Sequence, residues 1–234
     1  MRHLLVSFSS SFAALALFSY AGTASAQAAT ATPTAAAAAE AGNDHDEVVG
    51  HFAVGYFGIS QLPVGPGTGG GTGAGAAAAA PNEINAPIIG ARYWLSQKLG
   101  IDAGIGFSDS SSGWGVAAHG GVPLALATSK HMTFELIPEA TVAFAGNSPG
   151  GGTSYSGFRL DVGARIGGEI QFGFIGIPQL ALQATVGLYL DHQSWGSSTT
   201  GGTNPSFSST TFSTSVQGDP WGIFTDNISA LYYF

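Results

Sequence analysis

Large apolar side chains occupy every second position over most of the chain. Between residues 158 and 172, the even positions from Phe158 to Phe172 hold only apolar residues and glycine, whereas the odd positions include Arg159, Asp161 and Glu169. A helix would need apolar residues every three or four positions, so a period of two predicts strands. The alternation recurs over residues 48–59, 87–95, 99–107, 114–126, 132–144, 180–191 and 223–234. We therefore predict eight strands.

The connections between these segments alternate in length. Short joins at 96–98, 128–130 and 173–179 are interleaved with joins at 65–86, 108–113, 146–156 and 193–220, which are longer on the whole and rich in Gly, Ser and Thr. An up-and-down arrangement of antiparallel strands places all the short joins at one end. Outer-membrane barrels show this asymmetry, with short periplasmic turns and longer outer loops.

The two faces of the predicted strands differ in side-chain volume. One face carries Phe, Leu, Ile, Val and Met, and the other is dominated by Gly, Ala, Ser and Thr with scattered ions. The interior of an eight-stranded barrel is narrow, so the small set fits inside and the large set, with Val48 and Phe52 among its first members, faces outward. A soluble barrel has the opposite arrangement. The predicted fold class is all-β, an eight-stranded antiparallel up-and-down transmembrane β-barrel.

Composition agrees with a chain that has little water-exposed surface. Only 9% of residues are charged, against about 25% in an average soluble domain. The formal net charge of −8 and the unclustered Lys and Arg argue against a nucleic-acid partner. The chain has no cysteine, which excludes a disulfide framework and a cysteine-based metal site.

Charged residues of the strands fall on the predicted inward face. Charges in a confined interior must be paired or hydrated. We therefore predict an arginine–carboxylate network across the lumen, although alternation does not fix which residues pair. Its members are Arg92, Asp102, Glu135, Glu139, Arg159, Asp161, Arg165, Glu169 and Asp191.

The N-terminus has the organisation of a secretory signal peptide over residues 1–26. Arg2 and His3 precede an apolar stretch, and Ala24-Ser25-Ala26 matches a small-residue cleavage pattern. Residues 27–47 are an Ala/Thr/Pro-rich tract ending in a polar run, which we interpret as a flexible, solvated periplasmic lead-in. The barrel is assigned to residues 48–234.

The C-terminus ends on an aromatic residue at the close of an alternating strand. Ile228, Ala230, Tyr232 and Phe234 share the outward face. This pattern resembles the C-terminal strand signature of bacterial outer-membrane proteins that the barrel-assembly machinery reads. Residues 48–234 resemble, in architecture, the eight-stranded family that includes the OmpA transmembrane domain and OmpX. The resemblance implies an outer-membrane location and a monomer whose partners are membrane lipid and that machinery.

Residues with catalytic or ligand-binding chemistry are sparse. Asp191 and His192 are rim candidates with Asp109, Ser110 and Ser194, but as strand neighbours Asp191 and His192 point to opposite faces and form no dyad. The inward parity of His51 and His119 predicts hydrogen-bonded interior histidines rather than metal ligands. The glycine-rich stretch 65–75 lacks a phosphate-loop ending.

Aromatic residues near the predicted strand ends suggest interfacial belts. We predict this role for Trp94, Trp114, Trp195, Trp221, Tyr56 and Tyr232. No metal or cofactor is predicted. The sequence favours a non-enzymatic outer-membrane barrel with a side-chain-filled lumen and a structural or surface-interaction role. The alternatives are a narrow pore or carrier for small solutes, a rim-located lipid-modifying enzyme and a soluble lipocalin-like binder.

Overall fold

The protein is an all-β structure in which antiparallel strands close into a ring. A computed structural model describes residues 42–66, 82–111, 113–202, 204–215 and 228–234. The predicted signal peptide and residues 27–41 of the lead-in lie outside this range, as do Trp221 and the first residues of the predicted last strand. Within the described residues, no helix has both the length and the hydrophobicity needed to span a membrane.

Within the described residues, ten strands follow one short helix. The helix α1 spans Asp44–Val48, and a single 3-10 turn spans Gly173–Ile175. The strands are β1 (Phe52–Pro63), β2 (Glu83–Ser96), β3 (Leu99–Ser110), β4 (Gly113–Gly121), β5 (Leu124–Thr128), β6 (Met132–Gly150), β7 (Thr153–Phe172), β8 (Ile177–Thr199), β9 (Ser206–Thr214) and β10 (Ile228–Tyr233).

The last strand closes the ring by pairing on both of its edges. Tyr232 of β10 is the cross-strand partner of Val54 in β1 and of Leu180 in β8. The order around the ring is β1-β2-β3-β4-β6-β7-β8-β10. Strand β5 follows β4 in the same position, because it also pairs with β3 and β6. β9 pairs with β8 on the same edge as β10 but farther along β8. The ten strands of the described residues therefore occupy eight positions, whereas the sequence predicted eight uninterrupted strands.

Proline explains the interruption between β4 and β5. The sequence predicted one strand over 114–126, but Pro123 has no N–H group to donate to a strand ladder. The chain still follows both neighbours there, because Val122 N–H donates to Pro138 O at 2.9 Å and Pro123 O accepts from Gly100 N–H at 2.8 Å. The break is local and leaves the order of the ring unchanged.

Strands extend well into two regions that were predicted to be loops. The join at 146–156 is a hairpin whose only residues outside the strands are Gly151 and Gly152, with φ of 65° and 76°. Glycine adopts these positive φ values without strain, as a two-residue hairpin turn requires. In the predicted loop 193–220, β8 continues to Thr199, and β9 pairs with it from Leu188 to Gly196. We call this the hairpin end of the ring and the opposite end the short-turn end.

The helix α1 lies at the short-turn end, where a solvated linker was predicted. Asp44 N–H donates to Lys130 O at 2.9 Å, and the side chains of Asp44, His45 and Val48 are buried. Val48 is thus part of the helix and not an outward strand residue. His51 is exposed and not interior, and its Nδ1 lies 2.7 Å from Phe234 O.

The outer and inner faces of the ring have opposite chemical character. Outside, large apolar side chains are uncovered, and Ile105, Phe107 and Ile89 are 75%, 65% and 61% exposed. Inside, alternate positions of the same strands are buried, and they hold small residues together with charged ones such as Arg92 and Asp102. A bulge at Phe57 and Gly58 in β1 shifts the alternation by one residue, so that the odd positions Ala53 and Phe57 are buried before it and the even positions Ser60 and Leu62 after it.

Candidate functional site

The interior near the short-turn end is crossed by Arg92. Its guanidinium forms a bidentate ion pair with Asp102, its cross-strand partner on β3, and both N–O distances are 2.7 Å. Its Nη1 also donates to Glu169 Oε2 at 2.6 Å and to Glu135 Oε2 at 3.2 Å. Because β2 and β7 lie on opposite sides of the ring, this arginine joins facing walls. We call these four residues the Arg92 cluster.

Neutral polar side chains extend the hydrogen bonding of the cluster, although Glu135 Oε1 has no partner among the described residues. Glu169 Oε1 accepts from Gln171 Nε2 and from the Tyr233 hydroxyl, each at 3.0 Å. The Tyr233 oxygen in turn accepts from Trp94 Nε1 at 3.0 Å. Gln183 Nε2 donates to Glu135 Oε2 at 2.7 Å. The cluster and its partners are fully buried, so this part of the interior is filled with side chains.

The helix α1 covers the Arg92 cluster from the short-turn end. His45 lies edge-on against Trp94, with ring centroids 4.5 Å apart, and its Nε2 donates to Gln97 O at 3.1 Å. Asp44 Oδ2 accepts from His131 Nδ1 at 2.7 Å and from Gly173 N–H at 3.0 Å. The helix is therefore tied to all three short joins.

Burial lowers the pKa of His45 below its ordinary value near 6.5. The bond to Gln97 and the charges of Glu169 and Asp46 oppose this shift, and the charge of Arg92 adds to it. The Nδ1 atom of the ring has no hydrogen-bond partner among the described residues. The folded protein therefore favours the neutral imidazole with the proton on Nε2.

A second group of charges lines the wall above the Arg92 cluster. Arg165 Nε donates to Glu139 Oε2 at 2.8 Å, and its Nη2 lies 2.6 Å from the same oxygen. The Tyr189 hydroxyl donates to Glu139 Oε1 at 2.6 Å. His119 lies nearby with its Nδ1 3.0 Å from Thr141 Oγ1. Its Nε2 has no hydrogen-bond partner among the described residues and is 3.9 Å from Glu139 Oε2.

A third group lies closer to the hairpin end. Arg159 Nε donates to both carboxylate oxygens of Asp161 at 2.8 Å, and Arg159 Nη1 donates to Gln61 O at 3.1 Å. Asp191 is the direct cross-strand partner of Asp161 and accepts a hydrogen bond from the Ser213 hydroxyl. Two carboxylates thus face each other across adjacent strands, with Arg159 Nη2 3.6 Å from Asp191 Oδ1.

The second and third groups border a cavity of about 410 Å³. Its wall also includes Glu83, Ser60 and Phe57. This volume lies within the usual range for small-molecule sites. We call it the upper cavity. The Arg92 cluster lies between it and the short-turn end.

The predicted interior residues are distributed over these three groups. Arg92, Asp102, Glu135 and Glu169 meet in one cluster, Arg165 pairs with Glu139, and Arg159 pairs with Asp161 near Asp191. Of the C-terminal set, Ala230, Tyr232 and Phe234 are exposed on the outside and Ile228 is half-buried.

Several residues of the site were not identified from the sequence. Trp94 was predicted to lie in an interfacial belt, but it is buried beside Arg92, whose guanidinium carbon is 5.8 Å from its ring centroid. Trp94 and Arg92 both occupy even positions of the same strand, so the alternation already indicates that Trp94 faces inward. Trp195 was also predicted to lie in an interfacial belt. Its cross-strand partners are Gly157 and Phe207, and it lies on the strand face that continues the cavity wall. The contacts of His45 depend on a helix that alternation does not reveal.

The rim candidates do not assemble into a catalytic group. His192 Nδ1 lies 2.8 Å from Thr210 Oγ1, whereas Asp191 bonds to Ser213 on the other face. Within the described part of the chain, no group of three or more His, Cys, Asp or Glu side chains is placed to hold a metal ion. No protein-family model and no curated protein sequence matches this chain.

Replacing Arg92 tests the role of the Arg92 cluster in stability. Arg92→Met leaves three buried carboxylates without their cation, and we expect the free energy of unfolding to fall by about 3–5 kcal/mol. Urea unfolding in detergent micelles measures this change. The matched control is Arg159→Met, because the Arg159 and Asp161 side chains keep 20% and 15% exposure, so that water can hydrate the remaining carboxylate and we expect a smaller loss. Equal losses of unfolding free energy in Arg92→Met and Arg159→Met would contradict a special role of the Arg92 cluster in stability.

The histidine in α1 predicts a pH-dependent attachment of this helix. Below pH 6.5 the unfolded chain binds a proton at His45 more readily than the folded chain. The stability that neutral His45 gives to the packed helix is therefore present above pH 6.5 and is lost on acidification. We expect the protection factors of the amides in residues 44–48, which are corrected for the pH dependence of intrinsic exchange, to fall between pH 7 and pH 5. In His45→Gln, whose amide can still donate to Gln97 O, this fall should be smaller. An identical pH response in both proteins would exclude His45 as its source.

Proposed function

We propose that this chain is an eight-stranded transmembrane β-barrel of a bacterial outer membrane, with a structural and surface-interaction role and no catalytic activity. The observation that carries the proposal is the inverted distribution of side chains. Aromatic and aliphatic residues cover the outside of the ring, and ion pairs fill its inside. A soluble protein buries such apolar residues and exposes such charges.

The exterior fits a hydrocarbon environment along several neighbouring strands. On β3, the side chains of Ile101, Ile105 and Phe107 are 48%, 75% and 65% exposed, and on β8 those of Leu188 and Leu190 are each 53% exposed. In water, every one of these surfaces would carry the hydration cost of an uncovered apolar group. In a bilayer they contact lipid tails, while ring closure satisfies the backbone hydrogen bonds of the strands.

The strand lengths support a surface role at the hairpin end. A tilted strand crosses a bilayer with about 9–11 residues, whereas β6, β7 and β8 have 19, 20 and 23 residues. In a membrane, these strands and β9 would project outward as a continuous sheet. We propose that this projecting sheet makes contacts outside the cell, and that the C-terminal strand is the segment read during membrane assembly.

A narrow pore or carrier for small solutes is the second candidate. It is favoured by the upper cavity, whose walls carry Arg159, Arg165 and several carboxylates. It is opposed by the Arg92 cluster, because fully buried side chains join facing walls at the short-turn end. We therefore favour a closed barrel.

A charge placed on the outer face tests the membrane assignment. Ile105→Arg puts a guanidinium where we propose lipid, and we expect folding into lipid vesicles to weaken by about 2–4 kcal/mol. The control Ser148→Arg lies at an exposed position near the tip of the β6–β7 hairpin and should have little effect. Loss of the band of the folded protein, which migrates differently from the heat-denatured protein in electrophoresis of unheated samples, gives a second readout. If Ile105→Arg is as stable as the control, or the wild-type protein is recovered without detergent, the membrane assignment is wrong.

Conductance in planar bilayers separates the closed barrel from the pore. The closed barrel predicts no large, stable currents from the wild-type protein, because Arg92 and its partners obstruct the interior. The pore predicts currents whose ion selectivity changes in Arg165→Ala, since this substitution removes a cation from the cavity wall. Stable currents with altered selectivity in that variant would favour the pore and contradict the closed barrel.

A further inference from the structure

We infer that the upper cavity is a binding site for small organic cations, such as a diamine, that enter from the hairpin end. This inference goes beyond the proposed function, since it depends on the ring interior and not on a membrane or on conduction. It begins from the charges of the cavity wall. Four carboxylates, those of Glu83, Glu139, Asp161 and Asp191, face only two guanidinium groups, those of Arg159 and Arg165.

This excess of negative charge cannot be removed by another part of the chain. The sequence contains no Lys or Arg between residues 3 and 91, and none after Arg165. The segments 67–81 and 216–227, which lie outside the described residues, therefore supply no compensating arginine or lysine wherever they lie. A concave site lined by one excess sign of charge concentrates ions of the opposite sign.

Two buried polar groups in the wall lack protein partners and indicate a ligand. His119 is 7% exposed and borders the cavity, and its Nε2 has no hydrogen-bond partner among the described residues. Ser60 is 5% exposed on the same wall, and its hydroxyl also lacks a partner there. Buried polar atoms are normally satisfied by protein, water or ligand. A ligand rich in N–H groups provides donors for both.

The size and shape of the cavity favour an organic cation over a bare metal ion. A volume of about 410 Å³ is much larger than a metal coordination sphere requires, and no metal-holding group of three acidic or His residues is found in the described part of the chain. The carboxylate of Glu139 is already engaged by Arg165 and Tyr189. Both oxygens of Asp161 already accept from Arg159 Nε. Asp191 accepts from the Ser213 hydroxyl through one oxygen, and its other oxygen is 3.6 Å from Arg159 Nη2, so Asp191 provides the main acceptor for a ligand ammonium.

An aromatic group on the same face extends the site toward the opening. Trp195 stacks on Phe207 with centroids 6.4 Å apart, and Tyr155 meets Trp195 edge-on at 6.2 Å. Trp195 is four residues beyond Asp191 on β8, which is roughly 13 Å along an extended strand. Aromatic faces attract organic cations. The hairpin end thus presents aromatic rings first and carboxylates deeper in the cavity.

Isothermal titration in detergent micelles with 1,4-diaminobutane tests the inference. Succinate and 1,4-butanediol serve as the anionic and neutral probes of the same chain length. We expect saturable binding of the diamine and none of the other two. In protein labelled with ¹⁵N-histidine, the diamine should shift the Nε2 resonance of His119. Binding of all three probes alike, or diamine binding without a His119 response, would overturn the inference.

Isosteric variants locate the site. Asp191→Asn and Glu83→Gln each remove one charge from the cavity wall, and we expect each to weaken diamine binding, for Asp191→Asn by about tenfold, as loss of one charged hydrogen bond predicts. Asp109→Asn removes the same charge from an exposed position on β3 outside the cavity and should leave binding unchanged. Band migration in unheated electrophoresis establishes that each variant is folded. An equal loss in Asp109→Asn would show that binding reflects net charge alone, and would overturn the site.

Discussion

Pairing of charge within a confined space is the constraint on which this structure depends. Arg92 contributes one positive charge at the centre of the ring, and three carboxylates from β3, β6 and β7 converge on it. Each of these groups is costly to bury alone, and each is tolerated because the others are present. The pairs of Arg92 with Glu135 and Glu169 also join strands that share no backbone hydrogen bond. The cluster therefore holds the register of distant strands while it fills the interior.

The two halves of the interior handle polar groups differently. Toward the short-turn end, Gln171, Gln183 and Tyr233 bring neutral donors to the carboxylates, and α1 closes the space beneath them. Toward the hairpin end, Arg159 and Asp191 keep some exposure beside an open volume. The half toward the short-turn end is therefore filled by buried side chains. The second half borders the upper cavity, where His119 and Ser60 have polar side-chain atoms that no described residue satisfies.

Period-two alternation predicted the strands and the face of each residue because both follow from local backbone geometry. Alternation predicted that Arg92 and Glu169 both face inward. It could not predict the 2.6 Å contact between them, since that contact depends on ring closure and register. Short-range signals also misplaced the ends of β6 to β9, whose Gly, Ser and Thr residues are typical of loops. The helix α1 escaped detection because it is only five residues long. Its local signal is limited to the Asn43 cap and an acidic first turn, and its position depends on contacts with the three short joins.

The seam between β1 and β10 has a consequence for the order in which the molecule forms. It pairs Ala53 with Tyr233, so residues near the two extremes of the described chain must meet before the ring exists. Contacts of such large sequence separation are slow to form. Until β10 arrives, β1 and part of β8 present unpaired edges, and Glu169 lacks the hydroxyl of Tyr233. The pairing of β10 unites the last backbone pairs of the ring with completion of the polar interior, so we expect it to be a late step of folding.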